Sequence, residues 1–285
     1  MNIRHSILTG LAVGLLAATP CLAQAADQDS DAARLALGTD LLLNDDAGDD
    51  AEAVAMLNRI TNEDLRARAA WPLGRAYLFG QGVPQDLTRG GQLIEQAVSA
   101  DPDNADAQFL LGRARQVGWG QTVDPVAALR HFRIAADAGD HRAQWHVGMA
   151  LLKGEGTRPD PALARRYVTA SAEGGYVEGM VSMAVMLALG EAGPKNPAAA
   201  RDWYRRAAEA GSAHALRGLA GMLMIGEGGA ADHVSGAAYL DLAAKAGDRM
   251  AVQLQQAFAA EIAGADRTRV EAVRNDWLNR YPPLR

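Results

Sequence analysis

Cysteine is almost missing: Cys21 is the only one among 285 residues, so no intrachain disulfide can form and no thiolate cluster can hold a metal. Aromatic residues are scarce at 5%, while alanine and glycine are abundant. Closely packed helices use that composition better than sheets, which favour β-branched and aromatic side chains. Basic tracts are absent and the formal net charge is -6; nucleic-acid binding is excluded, because phosphate affinity comes from concentrated Lys and Arg. Also lacking are Gly-x-Ser-x-Gly, Ser-x-x-Lys, His-Glu-x-x-His, a Walker-type loop and a dinucleotide fingerprint, so no familiar nucleophile or phosphate cradle is in place. What is present is 49% hydrophobic residues against 22% charged, which suits a packed core and points to an all-α fold.

The first 25 residues are built differently from the rest. Arg4 and His5 give a polar start, residues 7–18 form an apolar run, and Ala23-Gln24-Ala25 places small residues where a signal peptidase reads. The expectation is a signal peptide cleaved after Ala25 and a periplasmic mature protein with no stable membrane insertion. The apolar run falls short of the ~20 residues that span a bilayer. Cys21 follows Thr19-Pro20 rather than the small residues of a lipoprotein signal. A mature chain starting at Ala26 has no cysteine, so a cysteine nucleophile is excluded and no cofactor is expected.

One period organises the remainder of the chain. Gly139, Gly175, Gly211 and Gly247 close four similar segments at steps of 36. A second marker, Leu-Gly or its small-residue equivalent, recurs at Leu37-Gly38, Leu73-Gly74, Leu111-Gly112, Val147-Gly148, Met183-Ala184 and Leu219-Ala220, with one step of 38 at Asp101-Pro102-Asp103-Asn104. A third comprises Asp50, Asp86, Asp124, Asp160, Asn196 and Asp232, with Pro125, Pro161 and Pro197 directly after three of them. A short carboxylate or amide before proline is a helix start, since the side chain caps a free N–H and proline has none to lose. Paired glycines, such as Gly80 and Gly82 or Gly154 and Gly156, precede the capped helix and turn the chain back. Each unit is therefore helix, glycine-rich turn, helix, and the fold class is a right-handed α/α solenoid of antiparallel helix pairs. The turn departs from the pattern at Gly190-Glu191-Ala192-Gly193-Pro194.

The phrases Leu73-Gly74-Arg75-Ala76-Tyr77, Gly80-Gln81-Gly82-Val83-Pro84-Gln85-Asp86 and Asp202-Trp203-Tyr204-Arg205-Arg206-Ala207-Ala208-Glu209-Ala210-Gly211 resemble the Sel1-like repeat, a relative of the tetratricopeptide repeat. The resemblance covers residues 62–248. Residues 26–61 read as a linker and a divergent first repeat, and 249–285 as two capping helices, around 249–262 and 266–280. It implies a non-enzymatic protein-binding adaptor or regulator. Exported bacterial members are similar in serving envelope regulation and exopolysaccharide production; a scaffold in a polysaccharide export assembly is the alternative. Cysteine-rich relatives have been described as β-lactamases, and this chain departs from them in lacking the cysteines and a nucleophile.

In such a stack the first helix of each pair lines the concave side. Positions three before, at and four after the marker form the core stripe, at ~3.6 spacing. Positions five before, two before and two after form the inner stripe. There Trp71, Phe109 and Trp145 fall in register in successive repeats, flanked by Arg68, Arg75, Arg113, Arg142 and Met149. An aromatic ladder edged by arginine suits a groove for an anionic or mixed-charge protein or peptide, since Trp and Arg are common interface anchors. A second reading fits the same residues: the rings wedge between helices and the arginines pair with acidic neighbours. His141 and His146 are five apart and face different ways on a helix, and Asp45, Asp46, Asp49, Asp50 and Glu52 lack the ordered spacing of a calcium loop, so no metal site is expected.

Overall fold

The computed structural model describes residues 30–44, 48–281 and 283. The expected signal peptide with Cys21, and Asp45 and Asp46 of the acidic cluster, lie outside the described residues. Within them are fifteen helices and no strand: α1 (Asp31–Leu43), α2 (Asp50–Asn58), α3 (Glu63–Phe79), α4 (Leu87–Ala100), α5 (Ala105–Val117), α6 (Pro125–Asp137), α7 (His141–Lys153), α8 (Pro161–Glu173), α9 (Val177–Leu189), α10 (Pro197–Glu209), α11 (Ala213–Ile225), α12 (His233–Lys245), α13 (Arg249–Ala257), α14 (Ala259–Gly264) and α15 (Arg267–Arg280). The fold is an all-α solenoid whose helix pairs follow the 36-residue period. By its contacts the chain divides into two compact units, the first ending at Val123 and the second starting at Asp124. In unit 1, α1 packs on α2 and α3, and α4 on α3 and α5; in unit 2, each helix from α6 to α13 packs on the next, and α15 on α12.

The markers have physical causes. The marker glycine lets the two helices of a pair touch: a methyl on Gly74 would lie 2.7 Å from Ile94 Cδ1, and one on Gly148 would lie 2.7 Å from Val168 Cγ2. The marker residue beside it is core, with Leu73, Leu111, Val147, Met183 and Leu219 between 0% and 6% exposed. Leu37 is the exception at 50%; among the described residues α1 packs only on α2 and α3, so that face stays uncovered. Asp86, Asp124, Asp160, Asn196 and Asp232 each accept a hydrogen bond from the backbone N–H three residues on, at 2.9 to 3.2 Å. Asp50 does not. It is the first residue of α2 and is buried, and the N-cap is Asp49, without a side-chain cap bond. The turn ahead of α2 lacks the glycine pair, and the chain enters the helix one residue early.

The first helices carry caps of their own, at Asn62, Asn104, Asp140 and Ser212. At the C-terminal end three helices stand where two were expected, because the chain breaks at Phe258 (φ -103°, ψ 25°) between α13 and α14.

Successive repeats interlock through the turn. Its second glycine, Gly156 at φ +72°, lies directly over the first turn of α6, where a methyl would overlap the Pro125 carbonyl group. One repeat on, this position is Ala192, at φ +58° the one positive-φ residue other than glycine among those described. A Cβ in the left-handed region costs roughly 1–2 kcal/mol. Ala192→Gly is therefore expected to raise stability by about 1 kcal/mol, read as a higher urea midpoint at unchanged slope; a lower midpoint would show the methyl to be a useful contact.

The end of α1 is held by a carboxylate. Asp31 Oδ2 accepts hydrogen bonds from the backbone N–H groups of Asn62 (2.7 Å) and Thr61 (2.8 Å) and from the Thr61 hydroxyl (2.9 Å), and Arg34 donates to Oδ1 at 2.9 Å. The Asn62 N–H, then the Thr61 hydroxyl and N–H, hold its pKa down to about 2, from 3.8. A depressed carboxylate pKa means stability present above the unfolded value and lost as pH falls through the folded one. Amide exchange at Thr61 and Asn62 is expected to accelerate as pH is lowered from 4 towards 2, beyond the intrinsic chemical trend. The Asp31→Asn variant should show no such excess.

Candidate partner-binding surface

Where the core stripe of α3 is buried, its inner stripe is open: Arg68 is exposed, and Trp71 and Arg75 are half-buried. Phe109 and Arg113 on α5, and Arg142, Trp145 and Met149 on α7, are half-buried as well. The aromatic positions thus lie at the margin of the core, each resting on it by one side. Trp71 packs against the cluster of Ala70, Ala97 and Ala107 and, with Phe109, against the cluster of Leu78, Ile94, Leu110, Leu111 and Ala114.

The arginines divide by what they already hold. Arg75 donates to the Leu42 carbonyl in the last turn of α1 at 3.2 Å, where a cation meets the negative end of the helix dipole. Arg113 lies over the Trp119 ring at 5.9 Å. Arg142 is bound to Asp140, the cap of its own helix, through Nε at 3.1 and 3.2 Å and through Nη2. Burial alone would raise the Asp140 pKa, but the Arg142 hydrogen bond and the Ala143 N–H outweigh it and hold the carboxyl below its usual value. Trp145 donates its indole N–H to Ser182 Oγ at 2.8 Å and meets His146 and Tyr176 edge-on, at 4.8 and 6.0 Å. Those side chains serve the internal structure of their units.

Arg68 and Trp71 differ. Among the described residues Arg68 has no hydrogen-bond or salt-bridge partner, and it lines two adjoining cavities of unit 1. The larger, about 550 Å³, lies between the first half of α3 and the junction of α4 and α5, with Asp64, Trp71, Asp101 and Asn104 in its wall. Among the described residues nothing accepts a hydrogen bond from the Trp71 indole N–H, although that atom is buried. Pro72 sits inside α3 and has no N–H, so the carbonyl of Arg68 loses its helical partner as well. The smaller cavity, about 380 Å³, is lined by Ala32, Leu35, Thr39, Asp40, Leu43 and Leu65. Neither lining includes a serine, cysteine, histidine or lysine.

The two histidines of α7 part company in the structure. His141 is exposed, with Nδ1 3.0 Å from Gln144 Oε1, while His146 is buried and stacked on Phe132 at 4.5 Å.

The Sel1 repeat profile matches residues 67–102, 105–140, 141–176, 177–212 and 213–248, more than half of the chain. The chain belongs to the Sel1 repeat family. Sel1 repeat proteins generally mediate protein–protein interaction. Among solved structures, a Sel1 repeat protein from Oxalobacter formigenes is 23% identical with a TM-score of 0.71, covering 86% of this chain and 95% of the other. The second is c5321, a protective antigen present in uropathogenic Escherichia coli strains and displaying an SLR fold. It is 27% identical at a TM-score of 0.71, over 91% of this chain and 55% of its own length. Comparison with curated proteins gives no match. The matched repeats start at residue 67, so the Sel1 match includes Arg68 and Trp71 and leaves out the α1 wall of the smaller cavity.

The sequence places Ala32, Leu35 and Thr39 of that wall in the inner-stripe register, but they carry neither ring nor charge and were not among the expected binding residues. Sequence reasoning overlooked Asp64, Asp101 and Asn104, because a cavity formed at a helix junction has no period.

Proposed function

We propose that this Sel1 repeat protein is a periplasmic adaptor or regulator that holds a partner protein on the inner stripe of its first helices, in the setting of envelope or exopolysaccharide regulation. The reading is carried by Arg68 and Trp71: an unpaired guanidinium and an unpaired indole N–H beside one cavity, both on that stripe. An exposed cation beside a half-buried aromatic ring is what a binding anchor supplies, and internal pairing would have consumed the cation, as it has at Arg75 and Arg142. The signal-like residues 1–25 support export.

Crosslinking in intact periplasm, with a photoreactive residue at Ala67, is expected to trap one partner in stoichiometric amount. Trp71→Ala should weaken that complex by about 2 kcal/mol while the thermal midpoint changes little. A variant that unfolds yet still binds normally when folded would remove Trp71 from the interface.

A further inference from the structure

The partner-binding reading leaves open what chemistry the surface selects, and the two cavities that meet at Arg68 differ in that respect. The smaller is lined by Leu35, Leu43 and Leu65 with Ala32 and Ala36, and by the polar side chains of Thr39 and Asp40, the latter accepting a hydrogen bond from Asn44. Between the cavities stands a guanidinium with no partner among the described residues. Across it the larger cavity presents Asp64, Asp101 and the amide of Asn104. Asp64 and Asp101 are exposed, and neither is hydrogen-bonded to a cation among the described residues. Leucines of α1 and α3, the Arg68 guanidinium, and the carboxylates of Asp64 on α3 and Asp101 at the end of α4 thus line the two cavities.

We propose that unit 1 selects an extended peptide segment carrying, in order, an aliphatic residue, an acidic residue and a basic or amide residue. This deepens the partner-binding reading and rests on it. The aliphatic side chain enters the smaller cavity, where apolar area leaves water. The acidic residue meets Arg68, whose planar fork pairs two N–H groups with two carboxylate oxygens. The third residue meets Asp64 and Asp101, which repel a second carboxylate, so the surface discriminates against a run of acidic residues as firmly as it selects one. Successive residues of an extended chain advance by about 3.3 Å, so a short segment reaches both cavities. An anionic polysaccharide shares the carboxylate but offers no aliphatic side chain.

The test is selection of a displayed random dodecapeptide library on the purified mature chain, in parallel with Arg68→Glu and Leu43→Glu, both at exposed positions. The expected result is enrichment of the aliphatic–acidic–basic order on the unaltered chain. On Arg68→Glu the central preference should turn from acidic to basic. On Leu43→Glu the aliphatic preference should vanish while the acidic one persists, and a selected peptide should bind each variant at least tenfold more weakly. Enrichment unchanged by Arg68→Glu, no enrichment at all, or selection of acidic runs would each overturn the proposal. So would tight binding of alginate oligomers that depends on Arg68 and not on Leu43, which would assign the surface to a polysaccharide. If the periplasmic crosslink at Ala67 still traps one partner after such an outcome, the adaptor reading stands and only the specificity falls.

Discussion

Gly156→Ala is expected to cost about 4 kcal/mol of stability, while Gly175→Ala costs about 1. Both residues have positive φ, +72° and +89°, so both substitutions meet the same left-handed strain. The surroundings differ. At Gly175 nothing lies within 4 Å of the added methyl, whereas at Gly156 it would enter the backbone of Pro125 and Val126. The overlap is with main chain at the start of a capped helix, which cannot swing aside as a side chain could, so α6 or the turn must move. Urea unfolding of the two variants side by side isolates the steric part, because the backbone strain cancels in the comparison. Equal losses would show that the turn is not seated on the preceding helix as described.

Arg201→Met is expected to lower stability by about 3 kcal/mol, and Arg201→Lys to recover less than half of that. Arg201 is 9% exposed and reaches from α10 into the turn after α11. There its guanidinium donates to the carbonyls of Met222 (2.9 Å), Ala230 (3.2 Å), Gly229 (3.4 Å) and Glu227. The charge is balanced by carbonyl dipoles, one of them in the last turn of α11, where the helix dipole is negative. Methionine matches the length of the stem and leaves those oxygens unpaired. A lysine ammonium is a compact charge that cannot span them. Thermal unfolding of the three forms checks the order; full rescue by lysine would reduce the site to a simple charge. In the preceding repeat Arg165 holds the same register, and its Nη1 is buried without a partner among the described residues. It lies against Gly193, in the turn that carries the strained Ala192.

These two sites show how far a single repeat can be read. Asp-Pro at 124, 160 and the Asn-Pro at 196 are local signals: cap and first residue act within one turn, and the structure places each cap bond where the spacing implies. Asp50 shared the register but not the neighbouring turn, and a register without its local chemistry did not make a cap. Arg201, within Arg-Asp-Trp-Tyr-Arg-Arg, reads as one more charged residue on a helix. Its burial depends on a turn about 26 to 29 residues later, and no local pattern reports that. The inner stripe was equally visible in outline, since every third or fourth position of the first helices belongs to it. Which of its arginines stayed free was not visible, because Arg75 and Arg142 found partners through a carbonyl 33 residues away and a cap two residues away.

By itself the sequence determined the period, the helix pairs, the capped starts, the core register and the Sel1 resemblance. All of these rest on interactions between residues close in the chain, repeated often enough to stand out. Only the tertiary structure decided that Leu37 is half exposed, that Ala192 carries strain, that Arg201 is internal, and that among the described residues Arg68, beside two cavities, and Trp71, beside one of them, keep unpaired groups. Each of those depends on what another helix brings into contact, and on whether a polar group finds its partner there. Arg68 belongs to that second set, because a free charge is defined by the partners it lacks in three dimensions.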